Sequence, residues 1–371
     1  MLAYILRRLL LVIPTLLGIM VLNFFIVQAA PGGPVEQMIA QIEGTAVGAT
    51  SRFSGGSSGE MMKTGGNNAD TNSGGSNNSS YRGARGLPPE LIQRIEKMYG
   101  FDKPVGERFL LMMKDYAVFD FGDSFFRDRR VVDLVIDKMP VSLSLGLWTT
   151  LLTYLVSIPL GIRKAVADGS TFDLASSTVL VVLSAIPPFL FAVLLVLLFA
   201  GGSYFHWFPL RGLTSDDWSH FGALRRVSDY FWHVTLPIVA MTIGAFASLT
   251  FLTKNSFVEE LGKQYVLTAR AKGLAEKRVL YGHVFRNAML IVIAGFPAAF
   301  VGVLFTGSLL IEVIFSLDGI GLLGFESALN RDYPVLFGTL YFFGMIGLVM
   351  KIVGDILYMV VDPRIDFEVR G

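Results

Sequence analysis

Five uncharged apolar stretches of 19 to 27 residues recur along the chain, at 9–27, 141–162, 174–200, 234–252 and 288–311. A sixth, 335–361, is interrupted by Lys351 and Asp355. A bilayer core about 30 Å thick takes roughly 20 helical residues to cross. The pattern therefore predicts an all-α, polytopic membrane protein with six transmembrane helices. Prolines fall inside the stretches (Pro14, Pro159, Pro187, Pro188, Pro237 and Pro297). Membrane helices tolerate them, because neighbouring groups re-satisfy the freed carbonyls.

The first stretch has features of a cleavable secretory signal, with Arg7-Arg8 ahead of it and Gln28-Ala29-Ala30 behind. Its 19 residues exceed the usual signal core of about 7–15, and Pro31 would follow the scissile bond. An uncleaved first helix is expected. Orientation follows from Lys and Arg in the short loops. With the N-terminus inside, segments 1–8, 163–173, 253–287 and 362–371 hold 13 Lys/Arg in 64 residues. The short outer loops 201–233 and 312–334 hold 4 in 56. Both termini are thus predicted to be cytoplasmic.

The expected organisation has three parts. Residues 1–30 form the cytoplasmic N-terminus and first span, 31–140 a large external loop, and 141–371 spans two to six with an inner loop at 253–287. The external loop is itself divided. Between Gly44 and Gly86, Gly, Ser and Asn supply 24 of 43 residues, with no Leu or Ile. Such a stretch buries too little apolar surface to offset chain entropy, so 44–87 reads as a flexible insertion. Residues 88–140 read as a small helical cap. There Pro88-Pro89-Glu90 leads an amphipathic pattern that stops at Gly100, and 105–116 offers a second. Trp207, Trp218 and Trp232 fall in the outer loop 201–233, where an interfacial belt would place them.

Composition agrees with this plan: 53% of residues are hydrophobic and 16% charged, against about a quarter charged in soluble domains. A net charge of +1 leaves no global field for a nucleic acid. The absence of Cys removes disulfides, thiol nucleophiles and thiolate metal sites. Gly262-Lys263 lacks P-loop spacing, and no H-E-x-x-H occurs. His206, His220 and His233 lie in or beside one outer loop, where surface histidines are expected rather than a metal site. No catalytic residue is predicted.

The informative segment is the inner loop. Val258, Leu261, Tyr265 and Ala269 recur at helical spacing, Gly273 suits a left-handed helix end, and 275–285 can form a second short helix. Seven Lys/Arg in the loop and small residues at the bend describe a protruding basic knob. Ala269, Ala271 and Gly273 would let a partner's backbone come close. An amphipathic helix lying on anionic lipid fits the composition equally well.

The motif Tyr265-Val266-Leu267-Thr268-Ala269-Arg270-Ala271-Lys272-Gly273-Leu274, followed by His283, Arg286 and Asn287, resembles the EAA loop of ABC-importer permease subunits. It is the version found in the dipeptide/oligopeptide/nickel group. The resemblance extends along the chain, through Tyr4–Leu9, Phe121-Gly122-Asp123-Ser124 with Met139-Pro140, Glu312 with Phe315, Asn330-Arg331-Asp332-Tyr333-Pro334 and Asp362-Pro363-Arg364. Ser316-Leu317-Asp318-Gly319, Lys351, the proline-free 287–293 and Phe367-Glu368 resemble the B-type permeases of Yej peptide importers.

This resemblance implies a bacterial inner-membrane translocation subunit that is not itself an enzyme. It would work by alternating access with a second permease, two ATP-binding-cassette ATPase domains and an external peptide-binding protein. ATP and Mg would belong to the partner ATPase, leaving no cofactor on this chain. Peptide is the implied substrate, with nickel or another small solute the alternative. Many relatives carry Ser where Ala275 stands. A missing cap costs about 1 kcal/mol, so the second loop helix is expected to need its partner for order.

Lys351 and Asp355 share a face of the last span. They would line a translocation route or form an interior pair that fixes packing. A self-contained ion-coupled transporter built on them is the competing class, although inverted repeats are not evident. A membrane enzyme is the third, weakened by the missing nucleophile–base set.

Overall fold

The structure, a computed structural model, describes residues 2–29, 90, 103–124, 126–200, 204–303 and 309–361. The insertion at 44–87 lies outside them, as does the helix expected after Pro88 apart from Glu90. Two compact units are present. One comprises Met1–Leu16, Val135–Leu323 and Phe342–Gly371; the other comprises Leu17–Leu134 and Gly324–Tyr341.

Among the described residues five helices are long and apolar enough to cross a membrane. They are α1 (Leu2–Ala29), α3 (Val131–Val166), α6 (Ala223–Leu261), α8 (Glu276–Gly302) and α11 (Tyr333–Val361). The third apolar stretch is a bent helix pair, with α4 (Thr171–Ser184) and α5 (Pro188–Phe199) at 88°. Pro187-Pro188 causes the break. A proline pushes the preceding residue out of the helical region, and Pro187 is extended (φ −57°, ψ 133°) while Pro188 opens α5. Counting the broken pair as one gives the six expected spans.

α3 begins ten residues before the apolar stretch it was expected to match, so residues 131–140 of the expected cap are the first turns of this helix. Its end and the start of α4 are set by local chemistry. Gly169 takes a left-handed φ of +73°, and the Ser170 side chain caps α4 by accepting from the Asp173 backbone N–H at 3.3 Å.

Two buried clusters organise the larger unit. One joins Leu145 of α3 to Ala192 and Leu195 of α5, Val234, Leu236 and Met241 of α6, and Ile311 of α9 (Leu309–Ile314). The other joins Ile162 and Ala165 of α3 to Leu249 and Phe257 of α6 and to Val279, Val284 and Ala288 of α8. Close packing tolerates no extra bulk here. A Cβ on Gly161 would lie 2.7 Å from Thr253 Cβ and 2.8 Å from the Thr250 carbonyl oxygen.

Buried charged groups are held by ion pairs or hydrogen bonds. The Lys164 ammonium is 0% exposed and lies 3.0 Å from Asp173 Oδ1. It donates to the hydroxyls of Ser176 and Ser177 at 2.7 Å and to the Asp173 carbonyl at 2.8 Å. Lys254 of α6 bridges Asp168 at 2.8 Å and Asp173 at 2.6 Å. Four charges thus tie the α3–α4 turn to α6 where its apolar stretch ends. Glu312 is also fully buried. It accepts from the Ser142 hydroxyl at 2.9 Å and from the Leu322 N–H at 2.7 Å, near the start of α10 (Ile320–Asn330).

In the smaller unit, Tyr116 of α2 (Val105–Ala117) packs on Phe121 at 4.7 Å, and Phe121 on Tyr341 at 5.2 Å. The second cap helix is therefore present. Ser124 donates to the buried Asp332 at 2.5 Å, and Arg127 pairs with Glu326 at 2.5 Å. Among the outer histidines, His233 is not on the surface. It is 8% exposed, with Nδ1 2.8 Å from the Asp229 carbonyl of its own helix.

Candidate functional site: the helical knob at 253–287

The expected continuous helix through Val258, Leu261, Tyr265 and Ala269 is two helices. α6 stops at Leu261, Gly262 and Lys263 form the joint, and α7 (Gln264–Ala271) follows. The apolar spacing runs through the joint because residues of both helices face one core.

The end of α7 is built by Gly273. Its φ is +76°, its N–H donates to the Arg270 carbonyl at 2.9 Å, and the Leu274 N–H donates to the Ala269 carbonyl at 3.3 Å. This is a Schellman closure, with Leu274 folded onto the apolar cluster beneath. Arg270 grips Glu276 across the turn in a bidentate pair, at 2.9 and 3.1 Å. Both side chains are well exposed, so the pair sets geometry more than it adds stability.

Beyond the turn, the expected short helix is not separate. Residues 276–279 are α-helical, Leu280–Val284 form a π-helical turn, and the helix continues to Gly302 as the fifth span. Ala275 supplies no side-chain cap, but its carbonyl accepts from Arg278 and Val279 at 2.8 and 3.0 Å. This end is thus the first turn of α8 and not a separate element.

The expected site residues divide by direction. Ala269 and Val266 are buried with Val279 and Val284, so Ala269 anchors the knob instead of receiving a partner's backbone. Half-buried Tyr265 and exposed Asn287 brace the knob. Asn287 Nδ2 donates to the Tyr265 hydroxyl at 3.2 Å, and that hydroxyl donates to Glu260 at 2.7 Å. Lys263 completes the group by pairing with Glu260.

Glu260 lies eight residues beyond the apolar stretch 234–252 and is 8% exposed. Burial raises its pKa, but Lys263 and the Tyr265 hydroxyl outweigh that and hold it below the ordinary Glu value. Burial, followed by the Glu260 hydrogen bond, raises Tyr265.

Thr268, Arg270, Ala271, Lys272, Gly273, His283 and Arg286 are exposed, and Leu274 is half-buried. The Thr268 hydroxyl bonds within α7, to the Gln264 carbonyl at 3.0 Å. Two exposed apolar side chains join them, Leu267 at 57% and Tyr281 at 54%. Sequence reading missed both, although each departs from the periodicity of the buried positions. The knob therefore exposes apolar as well as basic side chains.

Lys351 is exposed on α11, and among the described residues it makes no ion pair. Asp355 is half-buried. The interior Lys351–Asp355 pair considered from their spacing is thus not formed, and the two residues remain the intramembrane polar positions of the last span.

Residues 157–367 match the family of binding-protein-dependent transport system inner membrane components. The chain belongs to this family. The matched span contains the whole 253–287 knob, and the chain is a permease of the ABC-importer type. The permease is 58% identical over 368 residues to the peptidoglycan transport system permease protein YejB of Agrobacterium fabrum, covering 99% of each chain. It is 59% identical to the inner membrane ABC transporter permease protein YejB of Escherichia coli O157:H7, covering 99% of this chain and 100% of the relative. Identity to the oligopeptide transport system permease protein OppB of Salmonella typhimurium is 32%, over 99% of this chain and 100% of that one. Permeases of this family work with an ATPase and a solute-binding protein.

Proposed function

We propose that this permease carries peptides across the bacterial inner membrane by alternating access. The observation that carries the reading is near full-length identity to YejB permeases, with further full-length likeness to a permease named for oligopeptide transport. The peptidoglycan transport named for one relative fits the same chemistry, because the peptide stems of cell-wall fragments are peptides. The translocation unit is a heterodimer with a second permease. Both termini and the knob face the cytoplasm, where two ATPase domains supply ATP hydrolysis and hold the Mg. This chain has no catalytic residue and no cofactor of its own. The external face receives a peptide-binding protein.

Arg270, Ala271, Lys272 and Gly273 meet the ATPase, with Leu267 and Tyr281 as the apolar contact. Interface energy concentrates on buried apolar and aromatic anchors, while rim charges steer the approach. Tyr265, Glu260 and Asn287 keep the knob rigid, so movement of the ATPase reaches α8. Lys351 and Asp355 stay off the substrate route.

The complex, purified in mild detergent and reconstituted, tests this. Labelled oligopeptides, muropeptides and nickel are offered in turn, each with ATP inside the vesicles. Peptide uptake that requires ATP is expected. Failure to recover an ATPase, together with full uptake in ATP-depleted vesicles under a proton gradient, would overturn the ABC mechanism. Nickel uptake alone would overturn the substrate. Gly273→Leu should release the ATPase while the chain still inserts.

A further inference from the structure

α1 and α11 together enclose a groove of about 360 Å³. Its walls are apolar, formed by Leu11, Val12, Pro14, Leu348 and Ile352, and its cation is Lys351. The Thr15 hydroxyl also lines it but is turned back on the Leu11 carbonyl of its own helix at 2.8 Å. Lys351 is the group left for a ligand.

An exposed ammonium within a span is expensive in hydrocarbon unless an anion or water reaches it. The depth of the groove selects the anion. Leu11 to Thr15 lie in the first turns of the apolar window Leu9–Ile26, next to Arg7-Arg8 in the sequence. At 1.5 Å per residue the groove begins about 3–9 Å inside that boundary. A lysine stem can bridge such a distance and bring its ammonium to headgroup level. Asp355, one turn from Lys351, lowers the local positive charge but makes no ion pair with it, and Lys351 is the charged side chain that lines the groove. Basic pockets between transmembrane helices favour anionic headgroups.

We infer that the α1–α11 groove is a binding site for an anionic phospholipid. The phosphate lies on Lys351, and an acyl chain runs along Leu11, Val12, Leu348 and Ile352. The chemistry is that of a phosphatidylglycerol or cardiolipin headgroup, and it is independent of what the permease transports.

The test uses the assembled transporter in nanodiscs of phosphatidylethanolamine with increasing phosphatidylglycerol or cardiolipin. Lipid retained by each chain is read by native mass spectrometry. Lys351→Met should weaken retention of the anionic lipid about fivefold, the value of one surface lysine, and Lys351→Arg should restore it. Lys114→Met, on an exposed face of α2, should leave it unchanged. Equal retention by Lys351→Met and the parent would overturn the site, as would retention of phosphatidylethanolamine to the same degree. A photo-crosslinking residue at Ile352 supplies an independent readout. Adducts with phospholipid support the inference, whereas adducts with the second permease would make the groove a protein interface and overturn it. Removing a charge from a membrane helix favours insertion, so a folding defect in Lys351→Met is not expected.

Discussion

The ammonium of Lys164 lies 3.0 Å from the carboxylate of Asp173, and both side chains are buried. Asp173 also holds Lys254 at 2.6 Å, whereas Lys164 has two serine hydroxyls in reserve. The carboxylate is therefore the hub. Asp173→Asn takes the carboxylate from the buried Lys164, leaves Lys254 with Asp168 alone, and should cost about 3–5 kcal/mol, the scale for breaking a buried pair. Lys164→Met leaves Asp173 paired with Lys254 and should cost less. Thermal unfolding of the assembled complex in detergent checks the order, and a larger loss for Lys164→Met would remove Asp173 from its central role.

At Gly161, α3 lies directly against Thr250 and Thr253 of α6. Gly161→Ala should destabilise by about 1–3 kcal/mol through overpacking. Thr253→Ala removes the Cγ2 contact at 2.9 Å but leaves the Thr253 Cβ at 2.7 Å and the Thr250 carbonyl at 2.8 Å. The double variant should thus recover only part of the loss. Full recovery would mean that the two remaining contacts yield at no cost.

At Gly273 the backbone, not space, is limiting. A Cβ there meets nothing within 4 Å, but φ is +76°. Left-handed residues other than Gly cost about 1–2 kcal/mol, with Asn the usual exception. Gly273→Asn should therefore disturb the knob less than Gly273→Ala, although Asn is larger. Hydrogen exchange of α7 amides in the isolated permease gives the ranking. The reverse order would assign the position to bulk.

The brace at Glu260 should respond to acid. Its folded pKa is depressed, so its stabilisation is fully present above the unfolded value, near 4.5, and is lost as pH falls through the lower folded value. The chain contains no cysteine, so Thr268→Cys gives a unique spin-label site. The label should become mobile below pH 4.5 in the parent, whereas Tyr265→Phe should raise its mobility already at neutral pH. A label equally rigid in both variants at neutral pH would show that the hydroxyl does not brace the loop.

Five of the six spans were legible because a run of about 20 apolar residues in one helix is long enough to cross the bilayer. The left-handed close at Gly273 was legible for a local reason, since only its own backbone decides it. Two features were not. The bend at Pro187-Pro188 looks like tolerated prolines until the packing of α5 on α6 is known. Glu260, Tyr265 and Asn287 meet across 27 positions, and no local spacing shows that they form one group. Ala269 was misread for a related reason. A small residue suits close approach, but which body approaches it depends on the fold, and here it is the chain's own α8.

The unbroken run from Glu276 to Gly302 makes the knob and the fifth span a single lever. Its 27 residues extend about 40 Å, so a tilt of roughly 5° about the midpoint carries each end about 2 Å sideways. A stiff arm delivers small rotations without losing them in a hinge. Glycine pairs placed in the arm would absorb the stroke while both ends kept their contacts.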